Sequence, residues 1–254
     1  MAAHPDDIEM MMAGTLILLK QSGCDLHYMN IANGSCGSVT LGPKEIAAVR
    51  TEEAKCAASV IGAHFHEPLV DDIEILYEQW LVRKLCAVVR EIKPNILLLQ
   101  SPQDYMEDHQ NSSRLMVTAA FCRGMRNYPT DPPSDAIDTE MAVYHALPYG
   151  IMDQLRKPII PDFTVDISSV ISKKRDMLAC HKSQKEWLDR TQGMDNYLIT
   201  MEQMSADVGK RYGGVRYAEG WRRHLHLGFG AEEFDPLFET LPEYIEHTIK
   251  GDRQ

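Results

Sequence analysis

The sequence predicts an α/β fold in which a mainly parallel β-sheet is covered by helices on both faces. Three observations predict it. Segments with apolar residues at helical spacing alternate with short apolar runs, the order that gives parallel strands joined by helical crossovers. The run Ile96-Leu97-Leu98-Leu99 holds no polar residue and is bounded by Pro94 and Pro102, as a strand buried on both faces should be. The 254 residues, 44% apolar and 25% charged, suffice for one large domain with a sizeable core.

Each element follows in order. Residues 8–20 read as a helix and 26–32 as a strand. Residues 44–61 are helical, ended by Gly62, and a short strand-like piece covers 64–70. In 77–92 the residues Leu81, Leu85, Val88, Val89 and Ile92 recur at helical spacing, and Lys93-Pro94 closes the helix. Residues 95–100 form the apolar strand and 109–124 the next helix. Three prolines and three aspartates make 127–139 a loop. Residues 141–147 and 163–167 read as strands, 168–180 and 185–204 as helices. Only Met1-Ala2-Ala3 precede His4, so the first strand is very short, or the chain begins later than its ancestor did. Ligands of such sheets bind at the carboxyl ends of the strands, so motifs placed there gain weight.

The net charge of −11 argues against a nucleic-acid partner, which needs a basic surface. No stretch approaches the ~20 apolar residues of a membrane span. The acidic start is unlike a secretory signal. Six cysteines, at 24, 36, 56, 86, 122 and 180, are scattered without a Cys-x-x-Cys. That pattern reads as reduced thiols in a cytoplasmic protein.

Two segments carry chemistry: Ala3-His4-Pro5-Asp6-Asp7-Ile8-Glu9 and Ser101 to His109, which ends Met106-Glu107-Asp108-His109. Both stand at expected strand-to-helix junctions and so reach one edge of the sheet. Catalytic zinc takes three protein ligands from His and carboxylates and keeps a position for water. His4, Asp7 and His109 make such a set; other divalent metals suit it too. Asp6 would then face the attacking water as general base. The same tetrapeptide also suits a helix N-cap, where Asp and Pro are common.

These segments resemble the PIG-L/LmbE-like N-acetylglucosamine deacetylase family. Ala3-His4-Pro5-Asp6-Asp7 resembles its hallmark, Asn33-Gly34-Ser35-Cys36-Gly37-Ser38 its glycine loop, and Arg50-Thr51-Glu52-Glu53-Ala54 its Arg-x-x-Glu helix. Asp108-His109 is similar to the end of its His-x-Asp-His motif. Asp166-Ile167-Ser168, His181-Lys182-Ser183-Gln184 and Tyr217-Ala218-Glu219 resemble its later markers. The resemblance implies a single deacetylase domain over 1–254 with a Rossmann-like three-layer αβα fold. It implies a zinc-dependent hydrolase that removes an N-acetyl group from an N-acetylglucosamine-like substrate, with His4, Asp7 and His109 as ligands and Asp6 as base. Arg50 would support the site or touch substrate, Asp108 would orient active-site groups, and His181 would have a supporting role. Partners reduce to a small-molecule amino sugar, with a homo-oligomer left open.

One departure matters. The first His of His-x-Asp-His falls on Met106, which can neither stabilise an oxyanion nor protonate a leaving amine. His145, in a strand-like run, is the candidate replacement; a packed strand histidine is the plainer reading. The departure keeps two alternatives alive: a zinc amidase acting on another N-acyl substrate, such as a thiol conjugate or natural product, and a non-catalytic carbohydrate-binding relative. Tyr217 and Trp221 suit either a sugar pocket or the core. His64 and His66 read as surface or packing residues, and His224 and His226, beside Arg222-Arg223, as a solvated patch.

Overall fold

A computed structural model describes residues 1–184 and 197–248. Two sheets run through it. In the smaller, β1 (His27–Met29) pairs in parallel with β2 (His64–His66). In the larger, β3 (Ile96–Leu99) pairs in parallel with β4 (Ala142–Ala146). Beyond β4 the sheet turns antiparallel: β6 (Ala218–Arg223) lies between β4 and β5 (Phe163–Asp166), and β7 (Ile245–His247) lies outside β5. The sheet is therefore mixed, which corrects the expectation of a mainly parallel one. Ala218-Glu219-Gly220-Trp221-Arg222-Arg223 contains no β-branched residue and has a glycine inside it, so Trp221 is its one strand-favouring residue and the local signal is weak. Long-range packing decides it: a Cβ on Gly220 would sit 2.5 Å from Leu147.

The helices follow the sequence more closely. α3 (Pro43–Val60) starts with Pro43 in its first turn, the Glu45 carboxylate accepts from the Gly42 amide at 3.3 Å, and the helix buries Ile46, Arg50, Ala54, Ala57 and Ala58. α4 (Gln79–Ile92) buries Leu81, Val82, Leu85, Cys86 and Val89, and ends where Lys93 adopts a left-handed conformation before Pro94. α5 (Glu107–Phe121) and α6 (Ile171–Leu178) follow β3 and β5. α7 (Tyr197–Val208) contains the described part of the helix expected over 185–204; residues 185–196 of that expectation lie outside the described residues. α8 (Pro236–Thr240) is one turn long.

The single helix expected over 8–20 is two, α1 (Asp7–Met11) and α2 (Ala13–Gln21), broken at Met12. The cause is a buried carboxylate. Glu219, on β6, accepts from the amides of Gly14 and Thr15 at 2.8 and 2.7 Å. Those two donors belong to the start of α2, where a carboxylate satisfies them. Lys174 balances the charge at 2.7 Å. Ahead of α1, Ala2 and Ala3 make a stub beside β1: the Ala2 amide donates to Met29, and the Ala2 and Ala3 carbonyls accept from Ile31 and Ala32.

Alternate residues of the strands enter different apolar clusters. Leu98, Ala142, Tyr144 and Ala146 pack with Ile8, Met12, Ile17 and Ala58 from α1–α3, whereas Leu97, Leu99 and Val143 pack with Leu85, Val89, Leu115 and Met116 from α4 and α5. Helices thus cover both faces, and the stub, β3 and their following helices point His4, Asp7 and His109 at one edge.

Candidate metal centre

The stub delivers His4, and the tight turn after it delivers Asp7 on the first turn of α1. Asp6 lies in that turn with φ +104°, a left-handed conformation uncommon for a residue with a side chain. From across the edge, α5 presents His109. One ligand atom each from His4, Asp7 and His109 lies within 4.8 Å of the others. The three residues thus form a group that could hold a metal ion, as the motifs implied.

The electrostatics fit a cation. Asp7 faces His4 Nδ1 and His109 Nε2, each at 3.4 Å. Each imidazole turns its other nitrogen to a second carboxylate: His4 Nε2 lies 2.9 Å from Asp108 and His109 Nδ1 lies 3.0 Å from Asp104. This is how ligand histidines are aimed, because the outer carboxylate fixes the ring and raises the basicity of the nitrogen facing the ion. Burial acts against a charged His4, yet Asp108 and Asp7 hold its pKa up at about 10. Burial likewise acts against a charged Asp7, but the His109 and His4 imidazoles hold its carboxyl below the usual carboxylate range. The donor set therefore calls for positive charge, which fits a divalent metal.

Asp108 also accepts the Ile73 amide at 2.8 Å, an amide aimed by a β-branched residue with φ +67°. Asp6 stands beside the trio. Its Oδ2 accepts from the Tyr197 hydroxyl at 2.5 Å, and its Oδ1 faces Arg50 at 3.4 Å. Burial pushes the Asp6 carboxyl above its ordinary value, against the pull of Arg50. That direction suits a proton acceptor working near neutrality.

Arg50 is buried and braces the front turn, donating to the Pro5 carbonyl at 2.5 Å and facing the Gly34 carbonyl at 3.4 Å. The glycine loop exists to admit it: a Cβ on Gly34 or on Gly37 would each sit 2.5 Å from the guanidinium group or its last methylene. Asp72 holds the loop by accepting from the Gly34 and Cys36 amides at 2.7 and 2.9 Å.

The centre opens into a cavity of about 330 Å³. Met106, Tyr105, Tyr149 and Tyr197 share its wall with Met10, Met11 and Leu147. His145 is not on that wall. It lines a neighbouring cavity, where it contacts Ser113, Gln100 and His224 at 3.1, 3.0 and 3.0 Å. His224 is thus half-buried against His145 rather than part of a solvated patch. His181 is fully buried 3.1 Å from Glu9 and is not on the cavity wall, whereas Gln184 from the same motif lines it. Trp221 is core: its indole N–H donates to Thr15 at 3.0 Å, and neither it nor Tyr217 reaches the cavity. His64 and His66 meet His27 on an outer face.

Asp104, Asp72, Tyr105 and Tyr197 went unread in the sequence. Asp104 carried a usable signal, since it lies five residues before His109 on the same strand-to-helix loop. Asp72 and Tyr197 carried none, because they reach the site from elements distant in the chain.

Residues 1–120, which contain all three candidate ligands, match the PIG-L family model, described as GlcNAc-PI de-N-acetylase. The chain's particular relatives include a diacetylchitobiose deacetylase from Thermococcus kodakarensis, 29% identical over 86% of this chain and 79% of the relative. A 4-oxalmesaconate hydratase from Pseudomonas putida is 26% identical over 72% of each chain. The solved N,N'-diacetylchitobiose deacetylase of Pyrococcus horikoshii superposes with a TM-score of 0.72 over 92% of this chain and 85% of that one; at 21% identity this likeness speaks for the fold. Among the described residues, no helix is long and apolar enough to cross a membrane.

Proposed function

We propose that this protein is a zinc-dependent N-deacetylase acting on an N-acetylglucosamine-like amino sugar, built as one domain with a Rossmann-like three-layer arrangement. The observation that carries the reading is the convergence of His4, Asp7 and His109, each imidazole backed by a carboxylate, next to Asp6. His4, Asp7 and His109 would hold zinc, which when bound lowers the pKa of water to about 7 and polarises a carbonyl.

The chain's own residues do the rest. Asp6 takes the proton of the attacking water and later returns it to the leaving amine. Tyr197 and Arg50 hold Asp6 in place, and their hydrogen bonds favour its ionised form before the attack. Tyr105 supplies what Met106 cannot. Its ring meets His109 edge-on at 5.6 Å, and its phenol remains a neutral donor at pH 7 for the developing oxyanion. The apolar wall of Met10, Met11 and Leu147 receives the less polar parts of the substrate and excludes water.

The test is acetate release from a panel of N-acetylated amino sugars, with and without chelator. Release that chelator abolishes and zinc restores is the expected result. Asp6→Asn should retain zinc and lose turnover by at least ~10²-fold; undiminished turnover would remove Asp6 as the base. The hydratase relative favours one second reading, addition of water to a carbon–carbon double bond by the same centre. No acetate from any sugar, with hydration of 4-oxalmesaconate, would decide for it. Release from a different N-acyl amide would decide for the amidase alternative, and sugar binding without any turnover for a carbohydrate-binding role.

A further inference from the structure

Cys56 and Cys180 lie 124 positions apart, yet their sulfurs meet at 2.6 Å. Cys56 is on the exposed side of α3, and Cys180 is half-buried just after α6. A disulfide has a bond length of ~2.05 Å, so joining them needs only a sub-ångström movement. We propose that Cys56 and Cys180 are a redox-modification site that closes to a disulfide with a small-molecule disulfide such as oxidised glutathione.

The chemistry balances. The Cys56 thiolate attacks one sulfur of oxidised glutathione and expels one glutathione thiolate. Cys180 then loses its proton, and its sulfur attacks Cys56 in the mixed disulfide, expelling the second. The two thiols give up two electrons and two protons, and the oxidant becomes two molecules of glutathione. The order follows from access. Cys56 faces solvent, whereas burial and the neighbouring Cys56 sulfur push the Cys180 thiol up to about 12. Capping Cys56 removes that neighbour's charge and frees Cys180 to react.

The bond would lock a strap that touches the cavity. Cys180 opens the segment His181-Lys182-Ser183-Gln184. Ser183 donates through its amide and hydroxyl to Glu53 of α3 at 2.8 and 2.6 Å. Gln184 donates to the Gly37 carbonyl at 3.1 Å and lines the cavity wall. Oxidation therefore turns a strap held on α3 by hydrogen bonds into one held covalently, six positions from Arg50 on the same helix. Four other cysteines, including Cys36 on the cavity wall, serve as internal controls.

The experiment incubates the full chain with oxidised glutathione, titrates thiols after denaturation, and maps non-reduced peptides by mass spectrometry. The expected result is a fall from the six thiols of the sequence to four, with a peptide joining Cys56 to Cys180. The Tm should rise by roughly 5–15 °C, reversibly with dithiothreitol, because the bond closes a long loop in the unfolded chain. Cys56→Ser should abolish the cross-link and the Tm shift. Six remaining thiols, glutathione adducts without a cross-link, or a link made through Cys36 would each overturn the proposal. The peptide map reads the unsubstituted chain, so it decides the matter even if Cys56→Ser folds poorly.

Discussion

Replacing Asp104 tests whether the centre is aimed by its outer carboxylates. Asp104 is buried, and its Oδ1 accepts from His109 Nδ1 at 3.0 Å and from the Met106 amide at 3.1 Å. Asp104→Ala leaves the His109 N–H unpaired in a buried setting and removes what fixes the ring. A hydrogen bond to a charged group contributes ~1.5–3 kcal/mol, and each ~1.4 kcal/mol is tenfold in affinity. Zinc affinity should therefore fall roughly 10- to 100-fold, the range seen when outer-shell partners are removed. Asp104→Asn keeps a neutral acceptor at the same place and should lose less, roughly 3- to 10-fold, since neutral hydrogen bonds are about half as strong. The assay is competition against a chelating indicator, with far-UV circular dichroism as the control for folding. A folded Asp104→Ala protein that binds zinc within about twofold of the parent refutes the argument. A fall in Tm with unchanged affinity would leave Asp104 as a helix-entry residue only.

Tyr105→Phe should lower kcat by about 10²-fold with little change in KM, as loss of an oxyanion donor does; an unchanged kcat in steady-state kinetics removes Tyr105 from the reaction. Lys174→Met should destabilise the fold by ~3–5 kcal/mol in urea, because it strands the Glu219 carboxylate that splits α1 from α2; a change under ~1 kcal/mol would mean the amides of Gly14 and Thr15 suffice. Burial holds the pKa of His145 down at about 4, against the carbonyl of Gln100 that would favour its proton. Its folded value lies below its unfolded value of ~6.5, so its contribution to stability is complete above pH 6.5 and is lost as pH falls toward 4. The acid limb of the Tm profile between those values should flatten in His145→Gln, and an identical limb would place the loss elsewhere.

Local sequence carried a large part of the fold and of the centre. α3, α4 and β3 were legible because their signals are short-range: helical spacing of apolar residues, Pro and Gly at the ends, and an apolar run between prolines. His4, Asp7 and His109 were legible because ligand chemistry restricts residue type and their motifs stand at strand-to-helix junctions. Asp108 was expected to orient active-site groups, and its carboxylate lies 2.9 Å from His4 Nε2.

Tertiary structure decided what depends on residues far apart in the chain. Whether β6 runs parallel or antiparallel is not encoded in Ala218 to Arg223; it follows from which strands flank it. The break at Met12 depends on a carboxylate 205 positions from Gly14. Gly34 and Gly37 look like turn residues until the Arg50 guanidinium fills the space above them. The spacing of motifs fixed the kind of chemistry this chain offers, because residue types limit which atoms can bind a cation or carry a proton. Only the folded chain decided which carboxylate faces which imidazole, and that Tyr105 rather than His145 reaches the cavity, because those are distances in space with no counterpart in sequence separation.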